Sequence, residues 1–152
     1  MAYKFGSDEY FMDKAYQLAL QAAEEGEIPV GAVVVCEQKI IARGYNQTEK
    51  LNDVTAHAEM LALTAAFNYF GAKYLPECTL YVTLEPCTMC AGALFWAQIG
   101  RVVYGARDEK RGYSLLTGNG KQVLHPRTNL TTGVLAEPCS RLVKDFFKKL
   151  RD

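Results

Sequence analysis

Residues 79–94 read TLYVTLEPCTMCAGAL and hold the features that decide the fold. The apolar run over residues 78–84 predicts a short buried strand. Pro86 then favours the start of a helix, so that Cys87 and Cys90 are predicted in the first helical turn. Backbone N–H groups without helical partners and the positive end of the helix dipole favour thiolates there. Because the thiolate is the form of cysteine that binds metal, this stretch predicts a strand, a sharp turn into a helix and two closely spaced sulfur ligands.

On both sides of this stretch the sequence periodicity alternates between helix and strand. The predicted helices are DEYFMDKAYQLALQAAEEGE (8–27), TAHAEMLALTAAFNYFG (55–71), TMCAGALFWAQIG (88–100) and EPCSRLVKDFFKKLR (137–151). The predicted hairpin and the further strand are IPVGAVVVCEQKIIARGYN (28–46) and RVVYGA (101–106). Residues 108–133 predict a long loop with one short strand. This alternation indicates a mixed α/β fold in which helices cover a sheet.

Composition limits the class of protein. The 152 residues are 49% hydrophobic, which suits one core and predicts a single domain over residues 1–152. The 17 basic and 17 acidic side chains cancel, so that any nucleic-acid contact would need a local basic patch. The first residues, MAYKFGSDEY, lack the apolar core of a signal peptide, and no apolar run approaches the ~18 residues that span a bilayer. We therefore expect a soluble, cytoplasmic chain without a membrane partner.

Five cysteines in a reducing compartment indicate metal binding or catalysis rather than disulfides. His57 and Glu59 are also predicted at the start of a helix, so that two equivalent helix starts could face each other. His57, Cys87 and Cys90 are ligands that suit zinc, and three protein ligands leave one position for water. Glu59 could then carry a proton without binding the metal. Cys36, Cys78 and Cys139 are assigned to packing.

Each of these residues also has a simpler interpretation. An isolated Cys-x-x-Cys pair can be two small apolar residues on a helix face. A histidine on a helix is most often a core or surface residue, and Glu59 could simply stabilise the helix dipole. The joint pattern of His57, Glu59, Cys87 and Cys90 favours the metal site.

The segments HAE and PCTMC resemble the zinc-dependent cytidine/deoxycytidylate deaminase superfamily, with its pattern His-x-Glu and Pro-Cys-x-x-Cys. The segments PVGAVVV, GYN, AHAEM, TLYVTLEPCTMCAGAL, RVVYGARD and FFKKLR resemble the bacterial tRNA-specific adenosine deaminases, which convert the wobble adenosine of an anticodon to inosine. The resemblance implies a three-layer α/β/α sandwich around a five-stranded mixed sheet, with helices on both faces. It also implies a homodimer with one Zn²⁺ in each subunit.

The resemblance further implies the reaction and its residues. A zinc-activated hydroxide attacks C6 of adenine, while Glu59 protonates N1 and then the departing ammonia. The implied zinc ligands are His57, Cys87 and Cys90. The implied contacts to the nucleotide are Asn46, the backbones of Ala58 and Leu84, and Asp108 near the sugar. The implied RNA contacts are Lys110, Phe146, Phe147 and Arg151. The two phenylalanines could equally be core residues of the last helix, and the two basic residues solvated charges.

One segment departs from the pattern of the tRNA-acting relatives. GNGKQVLHPRTNLTTG (118–133) lacks their Asn-His-Arg stretch, of which residues 125–127 could be a displaced version. A zinc deaminase of a free base or nucleoside, such as guanine, cytosine or cytidine, therefore stays open. A non-catalytic, zinc-stabilised RNA-binding subunit, in which His125 could be a fourth zinc ligand, also stays open. Glu59 argues against it, because a site closed by four ligands has no position for the water on which Glu59 would act. Phe95 and Trp96 are candidates for a dimer interface or for the monomer core.

Overall fold

The computed structural model describes residues 2–117 and 123–152 of the chain. In chain order the elements are α1 (Asp8–Glu24), β1 (Gly31–Cys36), β2 (Lys39–Tyr45), α2 (Ala58–Phe70), β3 (Cys78–Leu84), α3 (Thr88–Ala97), β4 (Arg101–Ala106), a 3₁₀ turn (Tyr113–Leu116), β5 (Asn129–Thr132) and α4 (Ala136–Arg151). Residues 118–122, in the middle of the loop predicted between 108 and 133, lie outside the described part. None of the described helices is both long and apolar enough to cross a membrane.

The five strands form one mixed sheet in the order β2-β1-β3-β4-β5. Strand β1 is antiparallel to both of its neighbours, whereas β3, β4 and β5 run parallel to one another. Leu84, at the end of β3, pairs with Ala106, at the end of β4. The segments that follow these two strands therefore leave the sheet side by side, at the edge where ligands usually bind in open α/β sheets.

Helices cover both faces of the sheet. Phe11 of α1 packs on one face against Tyr81 and Val103, and α4 lies in the same layer. The neighbouring residues Leu80 and Val102 point to the opposite face, which α2 and α3 cover. A strand that is buried on both faces needs a continuous apolar sequence. This explains why the strands are predicted from continuous apolar runs rather than from an alternating pattern. The predicted three-layer α/β/α sandwich with a five-stranded mixed sheet is confirmed.

The hairpin between β1 and β2 closes through Glu37 and Gln38. Both residues have positive φ, 53° and 65°, as the two central residues of a type I′ turn require. The hairpin predicted around the segment CEQK is therefore confirmed, although neither turn residue is the usual Asn or Gly.

Helix α2 lies unusually close to strand β2. A Cβ atom at Gly44 would be 2.4 Å from the carbonyl oxygen of Ala58, in the first turn of α2. Only glycine allows this approach. The start of α2 is thereby pressed onto the end of β2, and its position relative to the sheet is fixed.

Candidate metal centre and active site

Three ligand-type side chains meet where α2 and α3 begin. The Nδ1 atom of His57 lies 3.6 Å from the Sγ atom of Cys87 and 3.5 Å from the Sγ atom of Cys90. All three ligand atoms lie within 4.8 Å of one another. The two helix starts therefore face each other, as the sequence predicts, although the three residues come from segments about 30 positions apart. We call these three residues the ligand cluster.

Two of the three cluster residues are N-caps rather than members of the first helical turn. His57 is the N-cap of α2 and Cys87 is the N-cap of α3, so both lie just before the first turn in which they are predicted. Neither side chain makes the capping hydrogen bond that this position normally provides. Instead, the Oδ1 atom of Asn46 accepts a hydrogen bond of 2.8 Å from the backbone N–H of Ala58. The His57 and Cys87 side chains are thus directed at each other rather than at their own helices.

The protonation of the cluster suits a divalent cation. The hydrogen bond with Cys90 lowers the pKa of the Cys87 thiol to about 4, whereas the same bond and burial raise the pKa of Cys90. The hydrogen bond with Cys87 also raises the pKa of His57. The Cys87 sulfur is therefore a thiolate near neutral pH, which is the form of cysteine that binds a cation. Two sulfurs and one imidazole nitrogen are a donor set that favours zinc, so the residues present fit this ion.

Glu59 lies in the first turn of α2, two residues after His57, and is only 4% exposed. Burial raises the pKa of its carboxyl to about 7, and the Cys87, His57 and Cys90 side chains are close enough to influence it. A carboxyl group with this pKa both binds and releases protons near neutral pH. The structure therefore places a buried, titratable carboxyl group beside the ligand cluster.

A family comparison agrees with this geometry. The model of the cytidine and deoxycytidylate deaminase zinc-binding region matches residues 6–106, about two thirds of the chain and every residue of the ligand cluster.

The chain belongs to this deaminase family.

Individual relatives of this deaminase cover between 74% and 95% of its length. The tRNA-specific adenosine deaminase of Aquifex aeolicus is 44% identical over 146 residues, which are 95% of this chain and 96% of that protein. A solved structure from work on A-to-I editing by tRNA:A34 deaminases at the wobble position of transfer RNA is 40% identical, with a TM-score of 0.80 over 88% of this chain and 98% of that chain. Guanine deaminase from Bacillus subtilis is 39% identical, with a TM-score of 0.65 over 74% of this chain and 70% of that chain.

Two of the four predicted substrate residues of the deaminase, Ala58 and Leu84, lie on the segments that carry the cluster, and the other two lie on segments hydrogen-bonded to them. Asn46 is 8% exposed and Ala58 is fully buried, joined by the hydrogen bond described above. Leu84 ends β3, three residues before Cys87. Asp108 follows β4, and its side chain accepts hydrogen bonds from the backbone N–H groups of residues 110 and 111.

The predicted RNA contacts divide into two groups. Lys110 is exposed on the loop after Asp108, and this loop reaches the cluster because Gly112 forms a β-bridge with Cys87. Phe146, Phe147 and Arg151 lie on α4, in the layer on the other side of the sheet from α2 and α3. The two phenylalanine rings are half-buried and meet edge to face, with centroids 5.6 Å apart.

His125 lies away from the ligand cluster. Its ring packs against Phe95 with centroids 5.6 Å apart, and its Nδ1 atom accepts a hydrogen bond from the Arg127 backbone N–H. Among the residues that the structure describes, the cluster thus holds three ligands and not four. This number of ligands favours a catalytic site over a closed structural one.

Two buried carboxylates were not among the residues predicted from the sequence. Glu85 is 2% exposed and Glu27 is 1% exposed. Each accepts backbone hydrogen bonds from a loop next to the site: Glu85 from residues 108 and 114, and Glu27 from residues 49 and 50. A charged residue directly after an apolar strand, as in TLEPC, was the available signal for Glu85.

Proposed function

We propose that this protein is a tRNA-specific adenosine deaminase that converts the wobble adenosine of an anticodon to inosine. The observation that carries the proposal is the ligand cluster beside the buried Glu59, in a chain that aligns over 95% of its length with a tRNA-specific adenosine deaminase. The proposal includes a single domain over residues 1–152. It also places the protein in the cytoplasm, where its tRNA substrate is found. Recovery of the protein from the membrane fraction of lysed cells would contradict that location.

We propose that one zinc ion per subunit is held by the Nδ1 atom of His57 and the Sγ atoms of Cys87 and Cys90. Bound zinc supplies Lewis acidity, which makes a water molecule nucleophilic near neutral pH. The protein fixes the three ligands by placing two of them at helix N-caps and the third in the first turn of α3. Asn46 supports this arrangement by holding the first N–H group of α2.

Glu59 moves the protons of the reaction. Hydrolysis joins the oxygen of a water molecule to C6 of adenine, breaks the C6–N6 bond and releases ammonia. In the proposed sequence, the Glu59 carboxylate takes a proton from the water and gives it to N1 of the base. Glu59 then takes the second proton of the same water molecule and transfers it to the departing N6 nitrogen. Its burial and its pKa near 7 support this role.

The residues around the cluster would bind the nucleotide. Asn46 and the backbones of Ala58 and Leu84 are assigned to the base, and Asp108 to the sugar. An anticodon loop presents unpaired bases, so that little unstacking energy is required before the base enters a pocket. Lys110 is well placed for a neighbouring phosphate, because its loop is attached to Cys87 through Gly112. Phe146, Phe147 and Arg151 would meet more distant parts of the RNA.

The test is an assay of ammonia release with the purified protein. The substrates are an anticodon stem-loop with a wobble adenosine and, separately, free adenosine, guanine, cytosine and cytidine. We expect inosine from the stem-loop alone. Deamination of a free base without any reaction of the stem-loop would overturn the proposal. Guanine is the competing substrate that a specific observation favours, because guanine deaminase from B. subtilis is 39% identical over the matched region.

A homodimer is also proposed, with its interface in an apolar groove between α2 and α3. The groove is lined by Met60, Phe67, Tyr74, Ala93 and Trp96, among others. Trp96 is 74% exposed in the single chain, so the alternative that it belongs to the monomer core is wrong. Exposed tryptophan in an apolar groove is typical of a protein interface.

The dimer prediction concerns Trp96→Glu, which places a charge in the groove. Light scattering should give twice the 16.9 kDa chain mass for the wild-type protein and the single mass for the variant. Leu150→Glu is the matched control, because Leu150 is also exposed but lies on α4, and this variant should stay dimeric. A monomeric wild-type protein would contradict the prediction.

A further inference from the structure

Glu85 lies between the last residue of β3 and the segment that leads to Cys87, and it is almost completely buried. Its backbone N–H donates to the carbonyl oxygen of Ala106, so that it still belongs to the edge of the sheet. Its side chain is directed at the loop that follows β4. A buried carboxylate is unfavourable unless its oxygens accept hydrogen bonds, so these bonds indicate what the charge does.

The two oxygens of Glu85 have separate partners on that loop. Oε1 accepts a hydrogen bond of 3.1 Å from the backbone N–H of Asp108, and Oε2 accepts one of 3.0 Å from the backbone N–H of Ser114. The carboxylate therefore joins the beginning and the end of residues 108–114, which we call the substrate loop. Charge-assisted bonds of this kind are about twice as strong as neutral ones.

The substrate loop also packs tightly against the carboxyl group. A Cβ atom at Gly112 would lie 2.4 Å from the Cδ atom of Glu85. On the other side of the loop, the backbone N–H of Tyr113 donates to the Pro86 carbonyl oxygen at 2.9 Å, and Gly112 forms a bridge with Cys87. The carboxylate thus fixes the loop directly beside one residue of the ligand cluster.

We propose that Glu85 is a positioning residue, whose buried carboxylate holds the substrate loop so that Asp108 and Lys110 meet the nucleotide. The kinetic part of this proposal rests on the proposed function. The structural part does not, since the hydrogen bonds are independent of the substrate. A carboxylate is required because both backbone partners are donors. A glutamine at this position could accept from only one of them, and its NH₂ group would face the other.

The test compares Glu85→Gln with the wild-type protein in zinc content, trypsin cleavage and steady-state kinetics. Zinc should stay at the wild-type level, because Glu85 is not a ligand. Cleavage after Lys110 and Arg111, both exposed on the substrate loop, should become about tenfold faster as the loop detaches. The KM for the anticodon stem-loop should rise about tenfold with kcat nearly unchanged, which is the result of losing binding shared by the ground and transition states.

Three further variants separate positioning from general destabilisation. Gly112→Ala disturbs the same contact from the loop side, so it should reproduce both effects of Glu85→Gln. Glu77→Gln removes an exposed charge that lies before β3, outside the substrate loop, and should change neither cleavage nor KM. Glu27→Gln removes a second buried carboxylate that holds a different loop, so cleavage after residues 110 and 111 should stay at the wild-type rate.

The proposal is overturned if Glu85→Gln is cleaved at the wild-type rate, if it loses zinc, or if kcat falls while KM is unchanged. Equal acceleration of cleavage in Glu27→Gln would also overturn it, because the effect would then be global. A wild-type protein that does not deaminate the stem-loop would refute the proposed function. In that case, faster cleavage of Glu85→Gln would still support the claim that the Glu85 carboxylate fixes the substrate loop. Unchanged cleavage would refute this claim.

Discussion

Glu59→Gln is expected to lower the rate of deamination by a factor of about 10²–10⁴, the usual contribution of a general acid–base group. Glutamine has nearly the same size as glutamate, so the buried position should be filled without repacking. The amide cannot take a proton from water and pass it to the base. Zinc content should not change, because Glu59 lies beside the ligand cluster and is not one of its three members.

The measurement is ammonia release from the stem-loop per mole of bound zinc, with the metal determined by elemental analysis. Glu77→Gln is a suitable control, since Glu77 is an exposed acid before β3 and its loss should leave the rate unchanged. Wild-type turnover by a zinc-loaded Glu59→Gln protein would show that the carboxyl carries no proton.

Cys87→Ala is expected to lose zinc and, with it, much of the stability of the fold. A ligand that binds only the native state stabilises it by about 4 kcal/mol when present at about 1,000 times its Kd. The substitution is informative because the Cys87 side chain makes no regular capping hydrogen bond at the start of α3. The change in unfolding free energy should therefore report mainly the loss of the metal.

Thermal unfolding with and without a chelator checks this prediction. Cys87→Ala should unfold at the temperature of the chelator-treated wild-type protein, and the chelator should not shift it further. Cys36→Ala, Cys78→Ala and Cys139→Ala are the matched controls, because none of these cysteines belongs to the ligand cluster. They should keep the zinc content of the wild-type protein. Full zinc content in Cys87→Ala would rule out ligation by this sulfur.

The features that the sequence predicts correctly depend on signals between near neighbours. Alternating apolar runs specify the strands and helices, and Pro86 with Cys87 and Cys90 specifies the turn from β3 into α3. The pairing of the two helix starts follows from the repetition of the same arrangement around His57. These signals sufficed for a mixed α/β fold with helices over a sheet and for bringing the ligand cluster together, because neither depends on details of the loops. The three-layer sandwich with five strands was implied by the resemblance to the deaminase family.

The features that the sequence does not reveal depend on distant partners. Glu85 is buried by a loop that begins 23 positions later. Its place directly after an apolar strand marks it as unusual, but this does not identify the loop that it contacts. Helix α3 was predicted to continue to Gly100 but ends at Ala97, because Gln98 adopts the left-handed conformation with φ 50°. His57 and Cys87 were predicted in the first turn of their helices but are N-caps. For His57, the distant partner is Asn46, which follows β2 and accepts the hydrogen bond from the first N–H group of α2.

The two helix starts have a consequence for the engineering of this protein. Selection for heat resistance in chelating medium would reward serine, threonine or aspartate at positions 57 and 87, since those residues satisfy the first N–H groups of a helix. Each such substitution would remove one of the three metal ligands. Helix capping and metal ligation therefore require different residues at positions 57 and 87. A more heat-resistant variant that keeps its activity would need stabilising substitutions at other positions.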